Sequence, residues 1–117
     1  YYAGVSYLQM GQADKAIEYL DKYSPEGSVM GIMKNGALAD AYGDKGDFSS
    51  AIDYYKKAIS AGKNDVLTPM YMKRLGQLYE HQNQPADAKK IYEEVKSMYP
   101  NSSSAQDIDK YIIRASK

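Results

Sequence analysis

Few residues of this chain are of a type that does covalent chemistry, and their spacing argues against an active centre. His81 is the only histidine among 117 residues and stands beside Gln82 and Asn83 at what reads as a helix end. With no second imidazole and no cysteine, it has nothing with which to build a transition-metal site. Asp40, Asp44 and Asp47 fall near another predicted helix end, yet that segment lacks the alternating ligands and distal glutamate of a calcium loop. Glu93 and Glu94 are consecutive, so on a helix their carboxylates diverge and cannot act as an acid–base pair. No glycine-rich phosphate loop follows a strand, because no strand is predicted. The expectation is no enzyme, no cofactor and no metal, and a function carried by surfaces that hold another molecule.

Bulk properties narrow the kind of molecule. Fifteen basic and fifteen acidic residues cancel, which removes the electrostatic footprint of a nucleic-acid or anionic-membrane binder. Basic pairs such as Lys56-Lys57 and Lys89-Lys90 read as solvated helix faces. No run approaches the ~18 apolar residues of a membrane span. Thirteen tyrosines stand against one phenylalanine and no tryptophan. Most aromatic mass therefore carries a polar tip and suits half-buried positions between helices.

The elements that position these side chains repeat. Gly4, Tyr7, Gly11, Ala16 and Leu20 recur as Ala39, Tyr42, Gly46, Ala51 and Tyr55, and again as Gly76, Tyr79, Asn83, Ala88 and Tyr92. Leu38, Ala39 and Tyr42 form one stripe of 3.6-residue period; Phe48, Ala51, Ile52, Tyr55, Ala58 and Ile59 form another. Each copy thus predicts two amphipathic helices. Gly11, Gly46 and Asn83 should end the first helix in a left-handed conformation. Gln12, Asp47 and Gln84 should cap the second, with Pro85 at a first helical position. The small residues at the paired positions should let the helices approach closely beside the aromatics. After Tyr99-Pro100-Asn101, Ala105, Ile108, Tyr111, Ile112 and Ala115 predict a seventh helix that covers the last copy, with Ser104 and Asp107 as a box-like start.

This pattern of small residue, tyrosine, turn glycine, alanine, aromatic and proline resembles the tetratricopeptide repeat. The third copy matches it best, through Leu75, Gly76, Tyr79, Ala88, Tyr92 and Pro100, whereas Asn35 and Tyr23 depart from it. The resemblance implies an all-α, right-handed α-solenoid of three helix pairs plus a C-terminal capping helix. The copies divide at about 1–27, 28–64 and 65–102, with the cap at about 103–117. The first copy is expected to be truncated, since Tyr1 falls inside its first helix.

In such folds the first helices line a concave groove. Here the groove would receive Tyr1, Val5 and Leu8, then Met33, Gly36, Ala37 and Asp40, then Met70, Lys73, Arg74 and Gln77. Gly36 and Asp40 are read as groove residues and Tyr42 as core. The resemblance also includes a clamp for acidic peptide ends, but the positions in register hold Tyr1, Val5, Ala37, Met70 and Arg74, of which only Arg74 has suitable chemistry. The expected function is a scaffold or adaptor that binds a peptide or helix of a partner protein. Two alternatives stand beside it: an arm of a larger enzyme, and a self-assembling solenoid that dimerises through Tyr1, Tyr2, Leu8, Tyr19 and Tyr23 at its N-terminal end. A faint similarity to envelope repeat proteins favours a bacterial envelope or periplasmic location over the cytoplasm.

Overall fold

The computed structural model describes residues 1–117, and it is built from seven helices: α1 (Tyr2–Gln9), α2 (Ala13–Lys22), α3 (Gly27–Lys45), α4 (Phe48–Ala61), α5 (Leu67–His81), α6 (Pro85–Met98) and α7 (Ile108–Ala115). One 3₁₀ turn lies at Ser103–Ala105 and there is no strand, so the all-α expectation holds. The helices fall into two compact units: residues 1–62 contain α1 to α4, and residues 63–117 contain α5 to α7. No helix is long and apolar enough to cross a membrane.

The three turns inside the pairs share one backbone geometry. Gly11, Gly46 and Asn83 have φ of 74°, 90° and 57°. The next residue in each case sends its N–H five residues back, to the carbonyl of the repeated tyrosine: Gln12 to Tyr7 at 2.8 Å, Asp47 to Tyr42 at 2.9 Å and Gln84 to Tyr79 at 2.8 Å. These are Schellman closures, which satisfy carbonyls that the ending helix leaves without partners. The second helices then start at the predicted places. Asp47 alone caps with its side chain, accepting from the Ser50 N–H at 3.2 Å and the Ser50 hydroxyl at 2.9 Å. Gln12 and Gln84 hold the N-cap place without a side-chain bond. Pro85 opens α6, where its missing N–H costs nothing.

Between the paired helices the small residues act as notches. A Cβ on Gly4 would lie 2.6 Å from Leu20 Cγ, and one on Gly76 would overlap the Tyr92 ring. Ala39 and Ala51 are fully buried at the equivalent places of the second pair. In residues 1–62 a core of Leu20, Ala37 and Leu38 is packed by Tyr1, Val5, Ile17, Tyr42 and Tyr54. The repeated tyrosine stacks on the tyrosine twelve residues later in both pairs: Tyr7 on Tyr19 at 5.1 Å and Tyr42 on Tyr54 at 5.2 Å. Tyr42 is thereby half-buried and not deep core as the apolar stripe implied. In the third copy Ile91 takes the stacking position.

The two departures from the repeat pattern have local solutions. Asn35 points its amide back along α3 to the Gly31 carbonyl at 2.9 Å. Tyr23 lays its ring 5.8 Å from that of Tyr1, while its carbonyl, at the end of α2, accepts from Lys34 Nζ at 2.7 Å.

One helix start has no signal in the repeat pattern, and another differs from expectation. Asn64 begins α5 by accepting the N–H groups of Val66 at 3.0 Å and Leu67 at 2.8 Å, and its own N–H donates to the buried Thr68 hydroxyl at 2.9 Å. At the other end of the unit, the Ser104/Asp107 box does not form. Ser103–Ala105 makes a 3₁₀ turn, and α7 begins only at Ile108 without a side-chain cap. The Asp107 carboxylate is engaged instead by Lys73 Nζ at 2.8 Å. A full charge on a distant helix outcompetes a neutral backbone N–H for the same oxygen.

Candidate functional site

Residues 70, 73, 74 and 77 share one side of α5, because positions three and four apart lie one above another on a helix. Met70, Lys73, Arg74 and Gln77, the third-copy groove residues expected from sequence, line a single depression of about 300 Å³. Ser103 and Ser104 complete its wall. The expected groove list lacked both serines. Their only signal in the sequence was a polar run after Tyr99-Pro100-Asn101, which read as a helix start. The 3₁₀ turn brings that run against α5.

The charges around this depression are held in place. Lys73 is bonded to Asp107 and also lies 4.6 Å from the centre of the Tyr111 ring, so little of its side chain reaches solvent. That ammonium keeps the Asp107 carboxyl below its ordinary range. The Arg74 guanidinium lies 5.3 Å from the Tyr71 ring centre, with the residue exposed. A planar fork stacked in this way suits a carboxylate, which it grips through two parallel hydrogen bonds.

Behind the depression, α7 is pinned to the pair beneath it. Arg114 grips Glu80 through two bonds, at 2.7 and 2.8 Å, and the fully buried Tyr92 donates its hydroxyl to the same carboxylate at 2.5 Å. Arg114 above all holds Glu80 below the usual carboxylate range; burial opposes it, and the Tyr92 hydroxyl adds a smaller lowering effect. Burial first, and then Glu80, push the Tyr92 phenol well above its ordinary value. Lys96 adds a third link to α7, through Asp109 at 2.8 Å.

A second depression of about 500 Å³ adjoins the first through Ser103, which lines both. Asp65, Val66, Met98 and Tyr99 form much of its wall. Val66 and Met98 are 68% and 52% exposed, unusual for large apolar side chains.

The groove residues expected in residues 1–62 are placed differently. Ala37 belongs to the core, Tyr1 and Val5 pack against it, and Gly36 is buried. Leu8 and Met33 are half-buried. Asp40 is half-buried and accepts a hydrogen bond from the buried Tyr55 hydroxyl. Its loss would leave a hydroxyl between α3 and α4 without this acceptor, so replacing Asp40 should affect stability as well as surface. Of the tyrosines expected at an N-terminal patch, Tyr2 is 81% and Tyr19 41% exposed, while Tyr1 and Tyr23 pack on each other.

Comparison with known families agrees with the helix pairing. A tetratricopeptide repeat profile matches residues 34–101, and a second profile of the same family matches residues 1–24. No curated protein sequence matches the chain. Repeats of this type are in general non-catalytic modules of protein–protein interaction. With more than half of its length inside one match, and the small-residue notches and Schellman turns recurring in register, the chain belongs to the tetratricopeptide repeat family.

Proposed function

We propose that the chain is a scaffold or adaptor module that holds an extended segment of a partner protein along the exposed side of α5. One observation supports this reading above others: Met70, Lys73, Arg74 and Gln77 converge with Ser103 and Ser104 on one open depression. Its lining combines an adaptable thioether, hydroxyl and amide groups, and a stacked guanidinium. That is the mixture of packing surface and directional donors that peptide recognition uses.

The test is selection of peptides from a random display library on the intact chain, followed by Gln77→Trp. Gln77 is exposed on α5, so the indole should fill the depression and leave the melting temperature unchanged. Loss of peptide capture at constant stability supports the reading. Selected peptides that bind the variant as well as the native chain would place recognition on another surface.

A further inference from the structure

Asn35 is followed by Gly36, the only Asn-Gly pair among the four asparagines of the chain. Such a pair is labile wherever the backbone is free, because glycine has no Cβ to shield its amide nitrogen and lets the chain bend back. That nitrogen attacks Cγ of Asn35 and a C–N bond forms, while the carboxamide nitrogen takes the amide proton and leaves as ammonia. Water then opens the resulting succinimide at either carbonyl, giving isoaspartate or aspartate.

The fold withholds both reacting groups. Asn35 and Gly36 lie in the middle of α3. The Asn35 amide is drawn toward the preceding turn, where Nδ2 donates to the Gly31 carbonyl at 2.9 Å. The backbone N–H of Gly36 lies in the helical ladder, and the residue is buried. Attack requires residue 35 to leave its helical conformation, so it requires α3 to open. That helix depends on its neighbours: it contains Gly27, Gly31, Gly36 and Gly43, and glycine is among the weakest helix formers. Packing of α4 against it, including the bond from Tyr55 to Asp40, supplies what propensity does not.

From this we infer that Asn35-Gly36 is a concealed modification site through which the chain records its own unfolding. Each opening of α3 exposes the pair to spontaneous conversion, with water as the co-reactant. The isoaspartate product lengthens the backbone by one methylene and adds a carboxylate directly before Gly36, Ala37, Leu38 and Ala39, all buried. With that insertion α3 cannot keep both its ladder and its register against α4, so a converted chain does not return to the native state. This site owes nothing to the partner-binding surface on α5.

The test incubates the intact chain in neutral buffer and in denaturing urea at one temperature. Asn35 and Asn101 are followed by peptide mass spectrometry, with fragmentation that separates isoaspartate from aspartate. Asn35 should convert at least about a hundredfold faster in urea, since the native rate tracks the small open fraction. Asn101, exposed in a turn, should change far less and serves as the reference. Tyr55→Phe removes the hydroxyl bond to Asp40 and should raise the native rate at Asn35 about fivefold. In urea, where folding plays no part, Gly36→Ala should lose most of the conversion. On dilution from urea, isoaspartate at position 35 should be confined to chains that elute as unfolded on size exclusion. Equal rates at Asn35 in buffer and urea, no rise in Tyr55→Phe, or isoaspartate in the refolded fraction overturns the proposal. So does a Gly36→Ala chain that converts as fast as the native sequence.

Discussion

In the first helix pair Leu20 fills the notch at Gly4, and in the third pair Tyr92 fills the notch at Gly76. Both fillers are fully buried and stand four residues after the buried alanine of the second helix. Leu20 asks nothing more of its surroundings. Tyr92 brings a hydroxyl into the same kind of space, and a buried hydroxyl must be given a partner. Glu80 supplies it, and Glu80 is in turn gripped by Arg114 of α7. The ring of Tyr92 also lies 5.5 Å from that of Tyr111. A single change from an aliphatic to a phenolic filler thus converts a local packing solution into a link that docks the capping helix. The second pair is intermediate, since Tyr55 finds its acceptor in Asp40.

The largest effect that separates the two pairs should come from emptying the notches. Tyr92→Ala should cost about 4 kcal/mol and Leu20→Ala about 3 kcal/mol in urea denaturation, by the range for large buried side chains. Tyr92→Ala should also accelerate hydrogen exchange in α7, because it removes both the ring contact and one bond to Glu80. Native-like protection of α7 in that variant would break the proposed link.

Filling the notches instead should cost less and should again differ between the pairs. Gly76→Ala sets a methyl against a rigid ring and is expected to destabilise by about 2 kcal/mol. Gly4→Ala meets the end of a leucine that can change rotamer, and about 1 kcal/mol is expected. Equal losses would show that the two fillers yield alike.

The Glu80 link sharpens the comparison through pH. Because the folded-state carboxyl lies below its ordinary value of 4.5, its contribution is present above that value and is lost as pH falls through the lowered one. Protection of α7 amides should therefore decline on acidification below about pH 4.5. In Glu80→Gln the protection should be lower at neutral pH and flatter across the same range. A decline of equal size in both proteins would assign the acid sensitivity to another group.

The smallest effect is expected at Lys96 and Asp109, whose side chains are 59% and 68% exposed. Lys96→Ala should change stability by less than about 0.5 kcal/mol, and that small change should vanish in high salt. A loss above about 1 kcal/mol would mean that α7 depends on this pair more than on Glu80.

Much of this organisation was legible in the residues themselves, for reasons that are local. Gly11, Gly46 and Asn83 announce left-handed turns because few other residues tolerate positive φ, and all three turn as expected. The spacing of Ala16 to Leu20 and Ala88 to Tyr92 puts small and large groups on one helix face, which is enough to predict a notch and its filler. Met70, Lys73, Arg74 and Gln77 could be grouped because one helix carries all four. Gln12 and Gln84 show the margin of such reasoning: their place was readable, but only the shorter Asp47 side chain closes a cap.

What the sequence alone determined, then, is the pairing of helices and the turns between them, since these depend on residues within one or two turns of each other. Tertiary structure decided the fate of every charge that had more than one possible partner. Asp107 could cap α7 or meet Lys73, 34 residues away, and the full positive charge won over the backbone. Glu80 could have been an exposed helix residue, but α7 brings Arg114 to it across an equal separation. Asp40 had no evident partner in the sequence, and packing of α4 on α3 sets the Tyr55 hydroxyl against it. Ser103 and Ser104 became part of the α5 surface only because the chain folds back there. Periodicity reports which face of a helix is apolar, whereas the partner of a polar group is settled by whichever distant element arrives within hydrogen-bond reach.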